Sequence, residues 1–242
     1  MNSLKTFASI LLISGSTLSF GQINIGGVKV NVPTSLPTSN SAVSETEIIN
    51  GLKEALTLGS KTASQNLNKL DGFYKNPKVK IPFPEDCQKV ATELRKLGYG
   101  KKVDEFELTL NRAAEDASKE AATIFANSIK QMTLTDAKNI LTGPDTAATG
   151  YLRKTTNSSL YSAFAPHITT ALNKTTATKK WKELTTLYNK LPLVKKVDTD
   201  LTRYTTNKAL KGLFLLVADE ETKIRKDPAA RVTDLLKKVF GS

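Results

Sequence analysis

Residues 101–156, KKVDEFELTLNRAAEDASKEAATIFANSIKQMTLTDAKNILTGPDTAATGYLRKTT, restrict the fold more than any other part of the chain. Val103, Phe106, Leu110, Ala114, Ala117, Ala121, Phe125 and Ser128 recur at spacings of three and four, the period of one long helix with a single buried face. The small residues on that stripe let a neighbouring helix come close, which places this helix in the middle of a bundle. Leu108 and Ile129 mark a second apolar flank. After Met132, Thr133 and Asp136 form a capping pair, and Gly143-Pro144 ends the short helix they open. Asp145 is the expected cap of the next helix, which runs through Tyr151 and Arg153 toward Phe164.

The flanking segments carry the same period. Ser44 and Glu47 form a capping box, and Ile48, Leu52, Ala55, Leu56, Ala63 and Leu67 line one face of the helix that follows. Residues 70–84, LDGFYKNPKVKIPFP, break the pattern with Asp71-Gly72, Asn76-Pro77, Pro82 and Pro84. With Phe73, Tyr74, Ile81 and Phe83 inside it, this segment reads as a loop pinned across helices by its apolar side chains. A short helix should follow, with Val90, Leu94 and Leu97 inward and Gly98 as its stop. Pro166 is expected to interrupt or restart the helix it falls in, leaving a basic, Thr-rich helix through Trp181 and Leu187 at the periphery. Leu191-Pro192-Leu193 marks a turn. Asp198 or Asp200 caps a helix carrying Leu201, Tyr204, Leu210, Leu213, Phe214 and Val217. Asp227-Pro228 signals a restart, and the last helix carries Val232, Leu235, Leu236 and Val239 before Phe240-Gly241. There is no internal repeat. The expected fold is all-α: a single multi-helix bundle over residues 45–242, with a long central helix, preceded by a signal peptide and a flexible linker.

The leader is read from Lys5, the apolar run at 7–13 and the small-x-small pattern of Ser19 and Gly21, which sets cleavage after Gly21. Residues 1–21 are then a signal peptide, and 22–44, rich in Gly, Pro, Ser and Thr, a poorly ordered linker with one strand fragment in its alternating stretch. The apolar run is too short to span a bilayer, and no later stretch offers the ~20 apolar residues a span needs. Cys87 is the only cysteine, so no internal disulfide can form and the leader has none to lipidate. Its acidic surroundings oppose a thiolate, and it is read as structural. The expected location is periplasmic or secreted. A net charge of +12, or +11 once Lys5 leaves with the leader, suits anionic envelope surfaces outside the cytoplasm better than nucleic acid, since no aromatic–basic interleaving that stacks bases and no nucleic-acid fold signature is present.

Several motifs carry a resemblance. DGF, NPKVKIPFP, NRAAEDA, MTLTDAKNIL, AAT ahead of Tyr151, ALKGLF, EETKIRKDPAAR and LLKKVF occur in the order found in a bacterial family, the domain of unknown function numbered 4197. The chain resembles that family from about Glu47 to Gly241. Gly150 and Leu152 depart from it, standing where bulkier or aromatic residues are expected. The resemblance implies an exported bacterial protein built as one domain, and brings no reaction, cofactor or ligand with it.

No motif fixes a chemistry. One histidine, His167, excludes two-histidine carboxylate metal sites, and following Pro166 it is read as structural. The G-x-S-x-G elbow, the P-loop and the dinucleotide fingerprint are absent. No metal or cofactor is expected, and no catalytic residue is assigned. The polar residues worth following are Asn111, Arg112 and Glu115 on the central helix. Asn111 and Glu115, four apart, share a face beside the apolar stripe, as an ordinary ion-pair network or as a pocket wall where Glu115 meets Arg153 or Arg225. Asp136 and Asp145 are first of all caps. The amides near Asp145, Thr146 and Thr149 could instead hold an anion beside Arg153. Glu221 and Arg225 have the spacing of a helix ion pair, while Glu220 and Glu221 diverge and cannot pair for acid–base work. The leading expectation is a non-enzymatic binding module for an envelope component or a small ligand, anionic or not, through Asn111, Arg112, Glu115, Asp136, Asp145, Thr149, Arg153, Glu221 and Arg225. A periplasmic hydrolase using Glu115 with Glu221 or Asp136 is the alternative, and a structural or assembly role the third reading.

Overall fold

A computed structural model describes residues 20–25, 28–33, 44–84, 87–189, 196–197 and 200–240. The chain divides into two units, residues 1–42 and 43–242. Residues 1–19 of the expected leader, the turn at Leu191-Pro192-Leu193 and the alternative cap Asp198 lie outside the described residues.

In the first unit, β1 (Phe20–Ile25) pairs antiparallel with β2 (Val28–Pro33), from Phe20 opposite Pro33 to Ile25 opposite Val28. One strand fragment was expected here, and two form. A lone strand leaves its backbone donors and acceptors unpaired, whereas a hairpin satisfies them across the ladder. The cleavage point expected after Gly21 falls within β1.

The second unit is all-α. Helix α1 (Glu45–Asn68) opens on the expected box: the Glu47 amide donates to Ser44 Oγ at 3.2 Å and the Ser44 amide to Glu47 Oε2 at 2.9 Å. Its buried stripe is Leu52, Ala55, Leu56, Gly59, Ser60, Ala63, Ser64 and Leu67. Residues 69–84 then cross the bundle as a strap, burying Phe73, Val79, Ile81 and Phe83, as the apolar content of that loop requires. Cys87, also buried, precedes α2 (Gln88–Leu94). Helical turns carry on past Leu94 to a kink at Gly98, beyond which α3 (Gly100–Ala117) begins. Gly98 stops α2 as expected, at φ 85°, a conformation glycine adopts without strain. Leu97, expected inward, is instead 71% exposed. Leu97 is the last residue before the kink at Gly98, where the helix ends beyond the face that Leu94 half-buries.

The central helix bears the expected stripe, with one break. A tighter turn at Ser118–Glu120 separates α3 from α4 (Ala121–Lys130). Ser118, fully buried, donates its hydroxyl to the Ala114 carbonyl at 2.8 Å, a back-bond that competes with the helical ladder and bends it. Ala113, Ala114, Ala117 and Ala121 are all fully buried, and α3 packs on α1, α6 and α8. Helix α5 (Leu134–Leu141) opens on the Thr133–Asp136 box.

Helix α6 (Ala147–Asn173) runs without interruption through Pro166, against expectation. Proline removes the hydrogen bond to the carbonyl four residues back and crowds that carbonyl, a strain a helix can absorb on an open face. Both Ser162 and Pro166 lie on the exposed face, where water can serve that carbonyl, while Phe164 and Ile168 are fully buried on either side. Helix α7 (Thr176–Tyr188) follows, with Trp181 buried. Asp200 caps α8 (Leu201–Lys226), accepting from the Arg203 amide at 2.9 Å. Asp227-Pro228 produces a single tight turn at Pro228–Ala230 rather than the start of the last helix; α9 (Asp234–Phe240) begins later, leaving Val232 exposed and Leu236 buried.

Gly72 allows the strap to leave α1. A Cβ there would stand 2.4 Å from the Asn66 carbonyl oxygen and 2.6 Å from that of Leu67, backbone atoms that cannot turn aside. Gly72→Ala is expected to lower stability by about 3 kcal/mol in denaturant melts. At Gly150, on exposed helix with open space where a Cβ would go, alanine should add about 0.5–1 kcal/mol. Equal effects at the two positions would refute the tight crossing.

Candidate functional site

The expected polar residues fall into separate groups. The first is a ladder on α3. Glu107, Asn111 and Glu115 recur every four residues and face the strap. The Phe83 amide donates to Glu107 Oε1 at 3.1 Å. Asn111, fully buried, accepts from the Ile81 amide at 2.8 Å and donates back to the Ile81 carbonyl at 2.8 Å, as a paired strand would. Its amide also reaches the Glu107 carbonyl at 2.7 Å. Glu115, 4% exposed, accepts from the Phe73 and Tyr74 amides at 3.1 and 3.2 Å through Oε1, and from Arg112 Nη1 through Oε2. Arg112 Nη2 continues to Asp71 Oδ1 at 2.7 Å. Hydrogen bonds from Lys75 and then Arg112 hold the Asp71 carboxyl below its ordinary range. An irregular segment has no neighbouring strand or helix to take its amides, and α3 supplies the acceptors. Glu107 was not among the expected site residues, although its four-residue spacing to Asn111 is visible in the sequence.

The second group closes the start of α6. Asp145 does not cap this helix; it pairs with Lys226 at 2.6 Å, which lowers its carboxyl pKa. Glu221, from α8, takes the cap. Its Oε1 accepts from the Ala148 amide at 3.0 Å, and its Oε2 from the Thr149 amide and hydroxyl, both at 2.8 Å. Arg225 Nε donates to Glu221 Oε1 at 3.0 Å, while Arg225 Nη2 reaches the Ile140 carbonyl at 2.9 Å. The anion expected at this helix start is therefore a side chain of the protein itself, where the helix dipole and free amides favour it. Beside it, Leu52, Leu56, Ala148, Val217 and Ile224 line, with Glu221 and Arg225, a half-open cavity of about 20 Å³, the room of one water molecule.

The two groups do not meet. Glu115 pairs with Arg112, not with Arg153 or Arg225. Arg153 lies over the Phe214 ring at 5.0 Å. Asp136 stays with Thr133, whose side chain and then backbone hydrogen bonds lower its pKa. His167 sits between two carboxylates, Nδ1 3.5 Å from Asp116 and Nε2 3.2 Å from Glu120. They address opposite ring nitrogens, so one cation cannot take both the imidazole and the two carboxylates at these positions. Among the described residues no group of His, Cys, Asp and Glu side chains is arranged to hold a metal ion.

A pocket that the sequence did not signal lies between the kink at Gly98, α3 and α7. Phe83, Phe106 and Trp181 form its aromatic wall, with ring centroids 4.9 Å apart for Phe83–Phe106 and Phe83–Trp181 and 5.3 Å for Phe106–Trp181. The Phe83 and Trp181 rings meet edge to face, at 88°. Leu94, Val103 and Tyr99 complete the apolar lining, and Lys102 and Lys180 supply two exposed cations at its margin. The volume is about 270 Å³, at the small end for ligand pockets. Its parts come from the strap, α2, the kink at Gly98, α3 and α7, and only the lysines flanking Trp181 hint at it in the sequence.

The model of a family described as "Protein of unknown function (DUF4197)" matches residues 42–241. No curated protein and no solved structure matches the chain.

Proposed function

We infer the function from a family and a pocket: the chain belongs to DUF4197, a family of proteins of unknown function, across nearly all of its helical unit. The protein is an exported, non-enzymatic binding module for a small ligand with an apolar or aromatic body and an anionic group. The observation that carries this reading is the aromatic pocket with Lys102 and Lys180 at its margin. Its walls desolvate an apolar body, and a carboxylate, sulfonate or phosphate at the mouth would meet two cations in a partly screened setting. Phe83 and Phe106 are held by the core and the α3 ladder, so the walls are formed before a ligand arrives.

The carboxylates that a hydrolase would need support the non-enzymatic reading. Glu115 faces residues 73–74, Glu221 faces residues 148–149 and Asp136 faces Thr133, each engaged with backbone amides rather than with a shared opening. Export rests on the leader at 1–21, followed by the linker at 22–44. Among the described residues no helix is long and apolar enough to cross a membrane. N-terminal sequencing of protein recovered from a periplasmic or secreted fraction is expected to begin at Gln22, within a residue or two. Intact Met1 as the major form in the cytoplasm would refute export.

Trp181 is the only tryptophan and reports on the pocket directly. Titration with an anilinonaphthalene sulfonate, an aromatic anion, should quench Trp181 emission as the probe's own emission rises. Lys102→Glu with Lys180→Glu should weaken binding by about tenfold or more, ~1.4 kcal/mol, without lowering the melting temperature. Unchanged affinity in that double variant would remove the pocket as an anion site.

A further inference from the structure

We propose that the ridge formed by Leu97, Gly98 and Tyr99 docks the protein on an anionic lipid surface. This goes beyond the pocket's ligand and stands on a different observation. Leu97 is 71% exposed and Tyr99 48% exposed, and they flank Gly98 at the kink between α2 and α3. Among the described residues, the other large exposed apolar side chains, Leu58, Leu70, Leu215 and Val232, each stand alone in the sequence. Gly98, at φ 85°, has open space around it, since a Cβ there would meet nothing within 4 Å. The kink is therefore open to solvent, with Leu97 outward and the Tyr99 ring half-exposed at the pocket mouth, a placement that costs solvation unless something covers them.

The charges around the ridge state what covers it. Arg95, Lys96, Lys101 and Lys102 flank it, and Lys180 approaches from α7 across the pocket. Arg95 is engaged with Asp104 at 2.7 Å and Lys96 with Glu93 at 2.8 Å, while Lys102 Nζ lies 5.8 Å from the Tyr99 ring centroid. Even with those pairs the ridge keeps a positive surplus from Lys101, Lys102 and Lys180, on a chain of net charge +12. Leucine, tyrosine and lysine together match the three layers of a bilayer margin. Leucine enters the upper acyl region, the tyrosine ring sits at the headgroup level with its hydroxyl in water, and lysine stems reach outward to lipid phosphates.

A folded protein partner fits less well. Two side chains cannot form the core of an interface that normally buries about 800 Å² per partner. A fluid surface asks for no such shape. Lys102 and Tyr99 also line the pocket, so docking would bring the pocket mouth to the membrane margin.

Flotation of the mature chain with vesicles of phosphatidylcholine alone, or mixed with phosphatidylglycerol, tests the proposal. Binding is expected only to the mixed vesicles, weakening as salt rises. Leu97→Asp should lower partitioning at least about tenfold with no change in melting temperature, because Leu97 is exposed and does not line the pocket. The same variant should bind the anilinonaphthalene sulfonate probe as wild type does. Failure to float, equal binding to neutral vesicles, or equal flotation of Leu97→Asp would each overturn the docking surface. Loss of probe binding with vesicle binding intact would instead overturn the pocket and leave the docking surface standing.

Discussion

Glu115→Ala is expected to lower stability by about 3–5 kcal/mol, far more than an ordinary surface change of ~0.5 kcal/mol. The carboxylate is 4% exposed and serves three donors, the amides of Phe73 and Tyr74 and the guanidinium of Arg112. Removing it leaves two amides without their acceptor beside fully buried Phe73, and deprives Arg112 of its better-buried partner. Arg112→Ala should cost less, about 1 kcal/mol, because the Arg112 side chain is one-third exposed and solvent screens its two pairs. Glu115→Gln should fall between, keeping one oxygen for the amides while losing the charge. Denaturant melts give the magnitudes, and hydrogen exchange gives the place: the Phe73 and Tyr74 amides should lose protection first. If Glu115→Ala melts within ~0.5 kcal/mol of wild type, the strap is held by its apolar side chains alone.

Glu221→Ala is expected to cost a similar 3–5 kcal/mol, by a different route. Here the carboxylate joins three helices: it caps α6, sits on α8, and orients Arg225 toward the last carbonyls of α5. Its loss exposes the positive start of α6 to a small apolar cavity and leaves Arg225, with a side chain only 14% exposed, beside uncovered amides of the same sign. Adding Arg225→Met should recover part of the loss, since removing both charges avoids leaving one buried alone. Added formate should raise the melting temperature of Glu221→Ala but not of wild type, because a small anion can occupy the vacated amides. Additive effects of the two substitutions, with no response to formate, would show that the cap and the ion pair do not act together.

Much of the fold follows from local sequence. The Ser44–Glu47 and Thr133–Asp136 boxes, the Asp200 cap and the stop at Gly98 depend on atoms a few residues apart, whose chemistry is complete within one turn. The buried stripes of α1, α3, α4 and α8 follow from a fixed period, so the all-α class and most core residues could be read in advance. The apolar content of residues 70–84 likewise announces a strap. What the tertiary structure alone decides is which helix faces which. Glu221 lies 72 residues from the amides it caps, and Glu115 lies 42 from Phe73, so no local spacing distinguishes them from solvated helix carboxylates. Asp145 has the residue type and position of a cap, yet the packing of α8 against α6 brings a better-desolvated carboxylate to the same amides. At the kink by Gly98 Leu97 lies outside, although helical spacing points it inward. The aromatic pocket assembles from the strap, α2, α3 and α7, each placed by contacts elsewhere in the core. Local hydrogen bonds and periodicity are short-range and leave a mark in the sequence; the pairing of remote faces is set by the packing of the whole bundle and leaves none.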